Sequence, residues 1–101
     1  MSAAWRNRVE LVGTVASEPK RRRTPAGTPV LTFRLRVEAS PSDPAVAGCV
    51  IPIVVFGDVA SSIVEGAIVE IAGSLTERRS KSPGSVRQSR FEILARTARV
   101  L

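Results

Sequence analysis

The sequence predicts an all-β domain: five strands closed as a small Greek-key barrel, with a short helix between the third and fourth strands. Three observations carry this. Apolar residues recur with a period of two in separate stretches, the signature of half-buried strands. Clusters of Pro, Gly and Ser punctuate the chain between them. The 44% hydrophobic fraction is mostly Val, Ile, Leu and Ala, with only Trp5, Phe33, Phe56 and Phe91 as aromatics, and β-branched aliphatics suit a pleated core. A length of 101 residues suits a single domain, residues 1–101, able to bury roughly two-thirds of its unfolded surface around one core.

The elements follow in order. In Arg8–Val15, Val9, Leu11, Gly13 and Val15 share the inward face and Arg8, Glu10, Val12 and Thr14 the outward one. Glu18–Gly27 holds two prolines, a glycine and the cation run Lys20, Arg21, Arg22 and Arg23, and reads as a loop. Val30–Glu38 alternates again, with Leu31, Phe33, Leu35 and Val37 inward and Thr32, Arg34, Arg36 and Glu38 outward. Ser40–Pro44 breaks it, and a loop runs to about Gly48. Cys49–Phe56 is almost wholly apolar, so both of its faces are covered or the outer one binds something. Pro52 within it points to an edge or a bulge. Asp58 caps a helix over Val59–Val64 that Gly66 stops. Ile68–Thr76 resumes the period of two, with Val69, Ile71, Gly73 and Leu75 inward. Gly13 and Gly73, on inward positions within strands, mark bends where a small sheet closes on itself. Arg78–Arg90 contains five cations and no acid and reads as a long hairpin loop. A last strand runs from about Phe91 to Val100.

Five strands with a helix after the third match an OB-fold, which holds oligonucleotides with the loops after its first and fourth strands and the face of its second and third. Here those loops carry nine of the 15 cations: Lys20, Arg21, Arg22 and Arg23 in one, Arg78, Arg79, Lys81, Arg87 and Arg90 in the other. Thirteen of the 15 are Arg and the net charge is +6. Arginine pairs with phosphate as a planar fork and stacks on bases, so the expected partner is a polyanion. Arg34 and Arg36 face out from the second strand toward the same groove; pairing with Glu38 or a sheet neighbour is the alternative.

Several chemistries are excluded. The chain has one Cys and no His, which leaves neither a disulfide framework nor a Cys/His zinc site, nor an imidazole for Ser-His-Asp or Cys-His catalysis. The nine acids are scattered singly, with no carboxylate cluster for metal-assisted hydrolysis. The expectation is a binding protein that is not an enzyme and has no cofactor or metal. No apolar run approaches a membrane span, and the N-terminus lacks the apolar stretch of a signal peptide, so a reducing cytoplasm is expected. Cys49 reads as a buried small hydrophobe, and Phe33 and Phe91 as core.

Asn7–Val15 resembles the opening strand of the bacterial single-stranded-DNA-binding proteins, Gly27–Phe33 their second strand, Ile53–Ala60 their third strand and helix entry, and Gly66–Gly73 their fourth. The resemblance covers nearly the whole chain. Within that superfamily Cys49–Val55, with its proline, is similar to the primosomal replication proteins of the PriB family, as is an ending just after the fifth strand. The resemblance implies a homodimer that binds single-stranded DNA in replication restart, with the PriA helicase, DnaT and the housekeeping single-stranded-DNA-binding protein as partners. It also implies that Phe56, on the outward parity of its strand, stacks on bases; packing against the short helix is the other reading. The first strand of an open barrel is a free edge, and Trp5, Arg8, Glu10 and Val12 are the candidate dimer-interface residues. Where the PriB family carries aromatics before the cysteine, this chain has Gly48 and Asp43–Val46. The alternatives are therefore a weakly DNA-binding adaptor for a restart helicase, and a housekeeping-type single-stranded-DNA-binding or RNA-binding OB domain.

Overall fold

The computed structural model describes residues 4–57, 62–80 and 88–101. Six strands run in chain order: β1 (Val9–Val15), β2 (Lys20–Arg23), β3 (Pro29–Val37), β4 (Cys49–Phe56), β5 (Ile68–Ser80) and β6 (Gln88–Val100). Their order in the sheet is β1-β5-β6-β4-β3-β2, and a further β1–β3 pairing closes it. Without β2, the remaining five strands form the Greek-key barrel expected of an OB-fold. Every pairing is antiparallel except β4 with β6, which run parallel over Ile53–Val55 and Ile93–Ala95.

Alternation decides what fills the barrel. Val15, Leu31, Phe33, Leu35, Ile53, Val55, Val69, Ile71, Ile93 and Ala95 all lie on inward positions and are buried, and Ile63 plugs the interior from the segment before β5. The period of two in β6 is interrupted once. Ala72 faces Thr97 but Gly73 faces Ala95, so Arg96 is an extra residue that makes a β-bulge. The bulge keeps both Ala95 and Ala98 on the core side, which strict alternation would forbid.

Two glycines permit closure. A Cβ on Gly13 would run into the backbone oxygen of Arg36, and one on Gly73 into the backbone oxygen of Leu94. At these points β1 meets β3, and β5 meets β6, more closely than any side chain allows.

The structure corrects several expectations. Lys20–Arg23 is a strand, not a loop: Lys20 to Arg23 pair in register with Thr32 back to Pro29. A tight turn makes this possible. The Gly27 amide donates to the Thr24 carbonyl at 2.8 Å, the Thr24 amide donates to the Thr28 carbonyl at 2.8 Å, and Gly27 has φ 90°, a conformation glycine tolerates freely. Arg78–Arg90 is likewise not one long loop. β5 and β6 stay paired out to Ser80 and Gln88, with Arg78 opposite Arg90, so Arg78, Arg79 and Arg90 sit on a two-stranded arm. This arm projects past the barrel, and its inner parity has no core to face. Hence Phe91 is 55% exposed, not core, and Leu75 is exposed as well. Cys49 is also exposed, because the first half of β4 is paired with β3 alone. Pro52 lies in that same half and so costs no hydrogen bond to β6.

Asp58 and the first half of the helix expected over Val59–Val64, residues 59–61, lie outside the described residues. Ser62–Val64, which is described, forms a turn and irregular backbone, and the described residues contain no helix. None is therefore long and apolar enough to cross a membrane.

Closure through Gly73 predicts that Gly73→Ala destabilises the fold by about 2 kcal/mol or more, because the colliding atoms are backbone and cannot rotate away. A thermal or denaturant melt checks it; an unchanged midpoint contradicts the close approach.

Candidate nucleic-acid interface

Strand register places the outward residues in rows across the sheet. On β2, Lys20 and Arg22 stand opposite Thr32 and Val30 of β3. Those in turn stand opposite Val54 and Phe56 of β4, while Arg34 stands opposite Pro52 and Arg36 opposite Val50. Val54 then neighbours Leu94 of β6, and on the arm Glu92 pairs across with Thr76, and Arg90 with Arg78. The result is one curved outer face made by β2, β3, β4, β6 and the arm.

A cleft of about 360 Å³ runs across this face, and Lys20, Arg22, Arg34, Arg78 and Arg90 all line it. Its floor is apolar, from the half-buried Pro52 and the almost fully buried Val54, and two acids, Glu18 and Glu92, also line it. Cations from four strands, 70 residues apart in the chain at the extremes (90 − 20 = 70), thus surround one apolar strip. Lys20, Arg22, Arg34 and Arg90 make no ion pair among the described residues, whereas Arg78 lies 3.7 Å from the Glu92 carboxylate. Holding four uncompensated cations this close raises the local potential and favours a polyanion.

The other predicted cations are placed differently. Arg36 continues the face beyond the cleft, opposite Val50. Arg21 and Arg23 have the opposite parity on β2, and with Arg22 they line a second cleft of about 390 Å³ beside Pro29 and Gly57. Arg23 is further committed to the turn, its guanidinium donating to the Gly27 carbonyl at 3.0 Å. Arg79 also has the opposite parity and pairs with Glu77 at 3.1 Å, so it does not belong to the groove. Lys81 and Arg87 lie outside the described residues. The acids Glu77 and Glu92, which flank the cation-rich stretch in the chain, sit among the arm's cations.

Phe56 is 49% exposed on the outer face, across from Val30 and on the row that ends at Arg22. Its ring is available to a flat partner. Phe33 is core, as expected. The residues that composition alone missed are the apolar floor and Glu92; the signal for Glu92 was its spacing of two from Arg90, which puts both on one face.

On the far side of the barrel, β1 pairs with β5 from Val9 to Thr14 but with β3 only at Thr14 and Val15. The second edge of Val9–Gly13 therefore has no strand partner among the described residues. Arg8 forms an ion pair with Glu10, Val12 is exposed, and Trp5 is 90% exposed.

A closed five-strand Greek-key barrel with a cationic outer face is the architecture of oligonucleotide-binding OB domains. The model of the single-strand binding protein family matches residues 6–101, and the chain belongs to that family. It is 29% identical to a single-stranded DNA-binding protein of Thermotoga maritima over 103 residues, covering 94% of this chain and 73% of that protein. It shares its fold with the structure of a Plasmodium falciparum SSB in complex with ssDNA, at a TM-score of 0.82 and 23% identity, covering 100% of this chain and 99% of the other.

The half-exposed setting of Phe56 predicts that Phe56→Ala costs only about 1 kcal/mol of stability, against the ~3–5 kcal/mol typical of a fully buried phenylalanine. Chemical denaturation measures the difference, and a loss in the upper range would return Phe56 to a packing role.

Proposed function

We propose that this protein binds single-stranded DNA without sequence specificity in the groove across β2, β3, β4 and β6, as a homodimer joined along the open edge of β1. The observation that carries this reading is the ring of Lys20, Arg22, Arg34, Arg78 and Arg90 around the apolar strip of Pro52 and Val54. Phosphates pair with the ring, and bases lie on the strip and on Phe56. It is a binder without catalytic chemistry, in keeping with a sequence that lacks imidazole.

The finer role we propose is support of replication-restart primosome assembly in the cytoplasm, with the PriA helicase, DnaT and the housekeeping single-stranded-DNA-binding protein as partners. The likeness of Cys49–Val55 to the PriB family supports it. A second reading, a general single-stranded-DNA-binding protein, draws support from the name of the Thermotoga relative. A third, a helicase adaptor with weak DNA contact, draws on the scarcity of rings: among the described residues Phe56 is the one exposed aromatic on the outer face of β2, β3 and β4. Co-sedimentation with purified PriA separates the first and third from the second, and oligonucleotide affinity separates the first from the third.

If five phosphates are neutralised, log K falls with log salt at a slope near −0.7 times five, about −3.5. Titration of a labelled oligonucleotide at several salt concentrations gives the slope, and a value near zero would detach the groove cations from the backbone. Within the arm, Arg78→Ala weakens binding and flattens the slope by about 0.7, whereas Arg79→Ala, on the other face, changes neither. Phe56→Ala weakens binding by about 1–3 kcal/mol if bases stack there.

The open edge of β1 also predicts a dimer. Equilibrium sedimentation at micromolar concentration is expected to give twice the 10.8 kDa chain mass; a monomer excludes pairing through β1.

A further inference from the structure

Glu92 is an acid inside a cationic groove. Its side chain is only 16% exposed, and it lines the same cleft as Arg34, Arg78, Arg90 and Pro52. The Arg78 guanidinium, 3.7 Å away, holds it from one side. A phosphate is repelled from this spot, so the strand's backbone is driven to the cations on either flank, Lys20 and Arg22 on one and Arg78 and Arg90 on the other. That leaves the half-buried Pro52 as the surface for a base face, with the carboxylate beside it for the base edge.

A carboxylate only accepts hydrogen bonds. In a single strand the pairing edge of every base is uncovered. Guanine presents two adjacent donors there, N1–H and the N2 amine, which match the two carboxylate oxygens. Cytosine and adenine present one amine beside an acceptor nitrogen. Thymine presents one N–H between two carbonyls, and these repel the carboxylate. Charge-assisted, two-pronged contacts of this kind are the strong ones, and partial burial strengthens them.

The geometry points to Glu92 as a specificity-determining residue that favours guanine over thymine at one position of the bound strand; this rests on the single-stranded-DNA reading above. Binding stays tolerant of sequence overall, with a bias at this one subsite.

The test compares an all-thymine oligonucleotide with the same oligonucleotide carrying dispersed guanines, and with inosine in their place, at one salt concentration. The guanine form is expected to bind the full-length protein roughly fivefold or more tightly than the thymine form, the low end of a two-pronged base contact. The inosine form, lacking the N2 amine, falls between them. Glu92→Gln removes a negative charge, so it strengthens binding of all three while bringing their ratio toward one; its melting curve reads the fold separately. Glu18→Gln, at the exposed rim of the same cleft, strengthens all three and leaves the ratio in place. Equal affinities in the unmodified protein overturn the inference alone, and so does a ratio that survives Glu92→Gln or is lost in Glu18→Gln. Failure to bind any of the oligonucleotides overturns the single-strand reading and this one with it.

Discussion

The barrel depends on how closely β1 can lie against β3. Six consecutive residues of β1 are bound to β5, and only Thr14 and Val15 reach β3, so closure hangs on a short contact where Gly13 removes the side chain that would otherwise strike the Arg36 carbonyl. Gly73 does the same between β5 and β6. With the strands drawn in, the interior is just wide enough for one layer of Val, Leu and Ile with a single ring, Phe33. The outer face must then curve, and it is this curvature that brings β2 and the arm of β5 and β6 to face each other across β3 and β4.

Charge is distributed by parity as much as by position in the chain. In the run Lys20–Arg23, alternate residues take opposite parity: Lys20 and Arg22 line the groove, while Arg21 and Arg23 line only the second cleft, which Arg22 also reaches. The arm repeats this, with Arg78 in the groove and Arg79 behind it, paired to Glu77. A strand thus splits a cation run into two functional halves, where a loop would leave all four exchangeable. It also gives each groove cation a fixed height above the sheet, which lowers the entropic cost of meeting a phosphate.

Much of this was legible from residues alone. The boundaries of β4 are those its apolar run implies, and the inward sets of β1 and β3 follow the alternation. Phe56 lies outside, as the better packing of Ile53 and Val55 implied. What escaped had physical reasons. Lys-Arg-Arg-Arg has no apolar alternation because neither face of β2 reaches the core, so its pairing is carried by the backbone and by the Thr24–Gly27 turn. The arm past Leu75 misled the reading of Phe91 because that face of a two-stranded ribbon has no core to pack against. The bulge at Arg96 is invisible to any fixed period. Cys49 was misjudged because composition ranks cysteine as buried, while its strand end stands clear of β6.

The pairing of β1 with β5 also governs how the chain reaches this state. Val9 and Gly73 are partners 64 positions apart (73 − 9 = 64), whereas β3 meets β4 and β5 meets β6 through near neighbours in the chain. Loop-closure entropy makes such distant pairings late and slow. The two hairpins that carry the groove cations, β2–β3 and β5–β6, are the local pieces, and short loop closure favours their early pairing. On contact-order grounds the basic ribbons are expected to pair before the barrel closes, with β1 the last strand to seat.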